Sequence, residues 1–135
     1  METVQTTYLG NLRTQAIHLQ SGSAIITDAP TDNHGKGESF SPTDLFAASY
    51  ASCALTIIGI ATQTHGFSID GALVKTTKIM GENPRRIAEL KVDFTFPANN
   101  YSKKERAIIE HSINHCPVSN SLPSGLKITR TISYL

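Results

Sequence analysis

Residues 45–61 run for 17 positions without a charge, and the residues around this run make it the middle of a helix. Ser41 is a natural N-cap, Pro42 suits the first helical position, and Asp44 stands three residues after the cap, completing a capping box. His65-Gly66 supplies the stop, a polar residue followed by a C′ glycine. The spacing predicts a helix over 41–64, ~24 residues or about 36 Å at 1.5 Å per residue. Its central turns are apolar or small on every side, so they need cover on every side. One antiparallel sheet covers only one face, and a partner chain is the economical cover for the other. The uncharged run falls short of the ~20 residues of a membrane span, contains Ser49, Tyr50, Ser52, Cys53 and Thr56, and has no closely flanking Lys or Arg. It reads as a buried helix of a soluble protein, with no membrane partner.

The flanking segments define an α+β arrangement rather than a βαβ repeat. Residues 4–20 alternate β-formers with polar residues, with a turn at Gly10-Asn11, and 24–28 form a further strand pattern. Residues 29–40 are rich in turn formers and read as an ordered functional loop or a flexible lid. Strand patterns over 69–80 and 87–97 meet at Gly81-Glu82-Asn83-Pro84. Ser102 and Glu105 form a second capping box, opening a helix over 103–115. Residues 126–134 alternate strictly and make the last strand. At 135 residues the chain suits one domain, 1–135. A net charge of +1 offers no field for nucleic acid. The N-terminal residues lack the pattern of a signal peptide, so a cytoplasmic location is expected.

Chemistry concentrates at the two cysteines, 63 positions apart. In a reducing compartment such a pair reads as reduced, catalytic or redox-sensing rather than as a static disulfide. Cys53 shares its helix face with Phe46, Ser49, Tyr50, Thr56, Ile57 and Ile60. It is either a small core hydrophobe or a thiol that needs an activating cation or donor from elsewhere. Cys116 precedes Pro117, which can begin a short helix over 118–123 and place the sulfur at a helix N-terminus, where a thiolate is favoured. The alternative is that Cys116 simply packs at a helix end. His111 and His115, spaced i,i+4 beside Cys116, raise a zinc site, but no fourth ligand is evident and two surface histidines are the plainer reading.

At these two segments the sequence resembles the osmotically inducible protein C and organic hydroperoxide resistance (OsmC/Ohr) family. Ser41-Pro42-Thr43-Asp44-Leu45-Phe46-Ala47-Ala48 with Ser52-Cys53 is similar to its first cysteine motif, and His115-Cys116-Pro117-Val118-Ser119-Asn120-Ser121-Leu122 to its second. The resemblance implies an intertwined homodimer with antiparallel sheets wrapped around long central helices. It also implies a thiol-dependent peroxidase for small organic hydroperoxides, with no metal or bound cofactor. Cys53 would take up the peroxide oxygen as a sulfenic acid, and Cys116 would close the disulfide. An external dithiol (dihydrolipoamide in the best-known branch, often on a lipoylated protein) would reopen it. A resolving thiol of this kind intercepts the sulfenic acid before further oxidation.

The peroxidase branches pair an early-strand arginine with a glutamate directly after the proline of the first motif. Here that position is Thr43, with the carboxylate one step later at Asp44. Asp44 is nine residues from Cys53 and so on the opposite helix face, which makes it equally a capping residue. Arg13, the only arginine before Arg85, is the candidate activating cation. The departure at Thr43 keeps a second reading open: a non-catalytic dimer that binds a small apolar or electrophilic ligand in the same cleft.

Overall fold

In a computed structural model the chain is described throughout, residues 1–135, and divides into two compact units, Met1–Leu45 and Phe46–Leu135. The first unit holds β1 (Val4–Gly10), β2 (Arg13–His18) and β3 (Ala24–Asp28) in one antiparallel sheet of order β1-β2-β3. Asn11 and Leu12 connect β1 to β2 with φ of 54° and 64°. Two consecutive left-handed residues are what a two-residue primed hairpin turn requires, which confirms the turn read at Gly10-Asn11. Residues 29–40 contain one 3-10 turn, Thr31–Asn33, and are otherwise irregular.

Helix α1 (Pro42–Thr64) starts in the first unit and runs through the second. Its start is the expected one: Ser41 Oγ accepts the Asp44 N–H at 3.1 Å, and the Asp44 carboxylate accepts the Ser41 N–H at 2.9 Å. By length and composition α1 is apolar enough to cross a membrane. Only one stripe of it is buried: Ala47, Tyr50, Ala54, Ile58 and Thr62, spaced by three or four residues. Ser49, Ser52, Thr56 and Ile60 are exposed on the opposite side.

The second unit continues with β4 (Leu73–Gly81), β5 (Arg86–Phe96), α2 (Lys103–Ile113), α3 (Pro117–Asn120) and β6 (Lys127–Tyr134). The order of its sheet is β4-β5-β6. Here the pairing departs from uniformly antiparallel sheets, because β5 and β6 run parallel. The reason is topological: α2 and α3 lie between these strands in the chain, and such a crossover returns the strand in the same direction. Strand β4 also begins later than the pattern over 69–80 suggested, because a turn occupies Asp70-Gly71 and Gly71 has a φ of 89°.

On β5 the alternate residues Leu90, Val92, Phe94 and Phe96 are buried and face the α1 stripe in one apolar cluster, joined by Ile109 and Ile113 of α2. The opposite face of the sheet is polar. Thr129 donates to Glu89 and Thr131 to Asp93 across the β5–β6 pair. Ser102 caps α2 reciprocally with Glu105, as the sequence indicates. At the far end Tyr134 stacks on Phe96 and carries Arg106 over its ring. Burial and the Glu110 carboxylate push its phenol up to about 12.

Ile58, fully buried at the centre of this packing, provides a measure of it. Ile58→Ala is expected to lower unfolding free energy by about 2–5 kcal/mol, the usual cost of such a cavity. Denaturant titration checks this, and a loss below about 1 kcal/mol would show that α1 is not anchored through this stripe.

Candidate thiol site

Cys53 stands one turn after Tyr50 on α1, between the buried stripe and the exposed side, and is partly exposed. Cys116 is fully buried as the N-cap of α3, with Pro117 at the first helical position. Each is free, and the two thiols lie near enough for Cys53 to act on the titration of Cys116. The fold thus brings together the two sulfurs that stand 63 positions apart in sequence.

Burial pushes the Cys116 thiol above the usual cysteine range, and the neighbouring Cys53 thiol adds to the effect. The N–H groups of Ser119 and Val118 pull the other way, as expected at a helix start, although the sulfur forms no capping hydrogen bond of ordinary geometry. Desolvation wins, so at neutral pH Cys116 is a neutral thiol. It is a poor nucleophile until something nearby favours its thiolate.

The site holds a cation that the motif reading missed. Arg130 on β6, itself exposed, lies near enough to Tyr50 for its charge to act on the phenol, and Tyr50 lies close enough to Cys116 for their charges to interact. Burial raises the Tyr50 phenol and Arg130 draws it back down. A signal was present in the last strand: Arg130 has the same parity as Ile128 and Ile132, although its own side chain stays exposed.

The sequence-predicted charges lie in the first unit and have partners there. Arg13 stands opposite Asp28 in the β2–β3 register and forms ion pairs with Asp28 at 3.5 Å and with Glu38. Asp28 is almost wholly buried and also accepts the Glu38 N–H at 3.1 Å; that bond and Arg13 hold its carboxyl below the usual range despite burial. Glu38 and Asp28 in turn keep the Arg13 guanidinium firmly charged. The glutamate partnering the early arginine therefore comes from loop 29–40, not from the first cysteine motif. Asp44 is engaged in the α1 capping box.

His111 and His115 lie ring against ring at 4.4 Å, both exposed, while the Cys116 sulfur turns inward to Cys53. The three residues of the zinc alternative therefore do not converge, and no group of three or more His, Cys, Asp or Glu is arranged to hold a metal ion. A cleft of about 400 Å3 between the C-terminal half of α1 and α2 is lined by Ala61, His65, Lys104 and Ile108 and contains neither cysteine.

Residues 35–131, which include both cysteines, match the family model of OsmC-like proteins. The chain belongs to the OsmC-like family. A Psychrobacter arcticus 273-4 protein, provisionally named for osmotic stress induction and a detoxification response, is 46% identical, with a TM-score of 0.92 over 98% of this chain and 96% of its own. An Elizabethkingia anophelis organic hydroperoxide resistance protein shares the fold at 18% identity and TM-score 0.76, covering 100% and 98%. An organic hydroperoxide resistance protein OsmC of Legionella pneumophila does so at 19% and 0.72, covering 98% of each chain. None of the curated proteins compared with the chain matches it.

The proximity of the thiols in this OsmC-like site has a titration consequence. Cys53→Ala is expected to lower the Cys116 pKa toward, but not to, the ordinary cysteine value, because one raising influence goes and burial remains. Ultraviolet thiolate absorbance across pH checks this, and an unchanged or higher pKa would mean that the sulfurs do not interact. Folding holds the proton on Cys116, so its contribution to stability is present below the unfolded-state thiol pKa and is lost as pH rises through the folded-state value.

Proposed function

We propose that this OsmC-like protein is a thiol-dependent peroxidase for small organic hydroperoxides. The observation that carries the reading is the meeting of two free thiols, one partly exposed and one buried. The names of the hydroperoxide resistance proteins that share the fold are consistent with it. The Cys53 thiolate attacks the terminal peroxide oxygen, the O–O bond breaks, and the departing alkoxide takes a proton to leave as an alcohol. Sulfur is oxidised by two electrons to the sulfenic acid. Cys116 then attacks the Cys53 sulfur as a thiolate; the S–O bond breaks, and the hydroxyl takes the Cys116 proton and leaves as water. An external dithiol reduces the disulfide by two successive exchanges and becomes the cyclic disulfide. The cycle uses no metal or bound cofactor, and it needs a compartment that keeps thiols reduced, such as the cytoplasm.

A homodimer is the matching assembly. On β1–β3 the apolar residues Val4, Tyr8, Leu9 and Ile25 are all about half exposed or more, and Ile60 on α1 is 57% exposed. Exposed apolar surface of this kind favours association, and a second copy of the chain is the occupant that serves both surfaces. The same association satisfies the demand of α1 for cover on its second side without invoking lipid.

Incubating reduced protein with cumene hydroperoxide and a dithiol tests the activity. Turnover is expected in the parent and none in Cys53→Ser, while Cys116→Ser completes one reduction and then over-oxidises at Cys53. Peroxide loss no faster than in Cys53→Ser would reject the peroxidase and leave a ligand-binding thiol pair. Peptide mapping after one equivalent of peroxide is expected to find the Cys53–Cys116 link within one chain. Sedimentation is expected to show a dimer that Ile60→Lys weakens, and a monomeric parent would overturn the assembly.

A further inference from the structure

Two hollows open side by side between the end of α1 and helix α2. The larger, of about 400 Å3, has Ala61, Ala107 and Ile108 as walls, with the His111 ring and Ser112 beyond them. Its one hydroxyl, on Ser112, already donates to the Ile108 carbonyl at 2.7 Å, so the compartment is apolar. The smaller, of about 240 Å3, is polar and includes Ser102 and Glu105 in its lining. Lys104 and His65 line both hollows and so stand on the border between the two compartments.

The border carries an uncompensated charge. Lys104 is the second residue of α2 and forms no ion pair. A cation in the first turn of a helix is disfavoured by the helix dipole, so Lys104 does not stabilise α2 from that position. An anion beside it would be attracted by the ammonium and by the positive helix end together. The neighbouring carboxylate, Glu105, accepts the Ser102 N–H at 2.9 Å in the α2 capping box, which holds it away from that role. His65 is fixed as a wall, its Nδ1–H donating to the Ala61 carbonyl at 2.9 Å. Alanine at 61 and at 107 leaves the space that larger side chains would fill. A cleft of this size with few polar groups suits one small molecule rather than a docked helix or strand.

We propose that this cleft is a second binding site, for a small amphiphile of the alkyl carboxylate class. The alkyl chain lies against Ala61, Ala107 and Ile108, and the carboxylate meets Lys104 at the border of the polar hollow. The site is separate from the thiol pair. Neither cysteine lines it, and Cys53 stands eight residues before Ala61, about 12 Å along the α1 axis. Ile60, the exposed α1 residue of the proposed dimer contact, is not part of its lining either. The inference goes beyond the peroxidase reading and does not rest on it.

Calorimetric titration of the reduced full chain with decanoate tests the site. One site per chain is expected, with the same affinity in Cys53→Ser. Lys104→Glu should weaken binding about tenfold, and decyltrimethylammonium, with the same tail and the opposite charge, should bind about tenfold more weakly than decanoate. Ala107→Phe, at an exposed position of α2, should fill the cleft and abolish binding while the oligomeric state stays that of the parent. No saturable binding of decanoate, or equal binding of the two amphiphiles, would overturn the proposal. Loss of binding in Cys53→Ser would place the ligand at the thiols instead and overturn it equally. A dimeric parent that Ala107→Phe makes monomeric would show that a second copy of the chain fills the cleft, and would reject the ligand. Should Ala107→Phe not fold, Lys104→Glu carries the decision, and a parent-like affinity there would sink the site.

Discussion

The packing of the α1 stripe on the apolar face of β5 is the contact on which the second unit depends. Tyr50, Ala54 and Ile58 meet Leu90, Val92 and Phe94 in one cluster of almost wholly buried side chains. Ala54 lets the helix lie close to the sheet, and the large residues on either side of it fix the helix against rotation. Rotation is what the proposed chemistry cannot tolerate, because Cys53 sits at the margin of the same stripe. With about 100° between successive helical residues, a turn of one position would either bury Cys53 in the aromatic core or carry it away from Cys116.

In the proposed cycle the protein reconciles two opposed demands on sulfur. A thiol that meets a peroxide has to be reachable, and Cys53 is partly exposed. A thiol that waits for a sulfenic acid is better kept from the solvent, and Cys116 is fully buried, which raises its pKa. Secondary structure suits each role. Cys53 stands mid-helix in a packed stripe, whereas Cys116 stands at the junction of α2 and α3, where a small backbone adjustment disrupts few hydrogen bonds.

Much of this was legible in the residues. The capping boxes at Ser41 and Ser102, the Gly10-Asn11 turn and the final alternating strand are local signals, and each appears where its chemistry requires. The two motifs likewise place their cysteines on the elements found. Long-range pairing was not legible. Strands β5 and β6 have the same alternation whether they run parallel or antiparallel, and only the crossover decides. The partners of Arg13 were equally hidden, because Asp28 and Glu38 come from a strand end and an irregular loop whose return path has no sequence periodicity. Arg130 was visible as a charge of the wrong parity, but a parity argument acquires meaning only once the facing helix is known.

The polar ladder on the outer face of the second sheet has a consequence for how this site is kept. Thr129 with Glu89 and Thr131 with Asp93 tie β6 to β5 at two successive outward positions. Side chains on a strand alternate with a period of two, so a slip of one residue would turn Ile128 and Ile132 out to solvent and drive threonines into the core. The outer hydrogen bonds thus act as an alignment key for the apolar side chains on the other side of the sheet. Surface residues with no part in the chemistry decide, by register alone, whether Ile128 and Ile132 close the core behind the thiol-bearing helix.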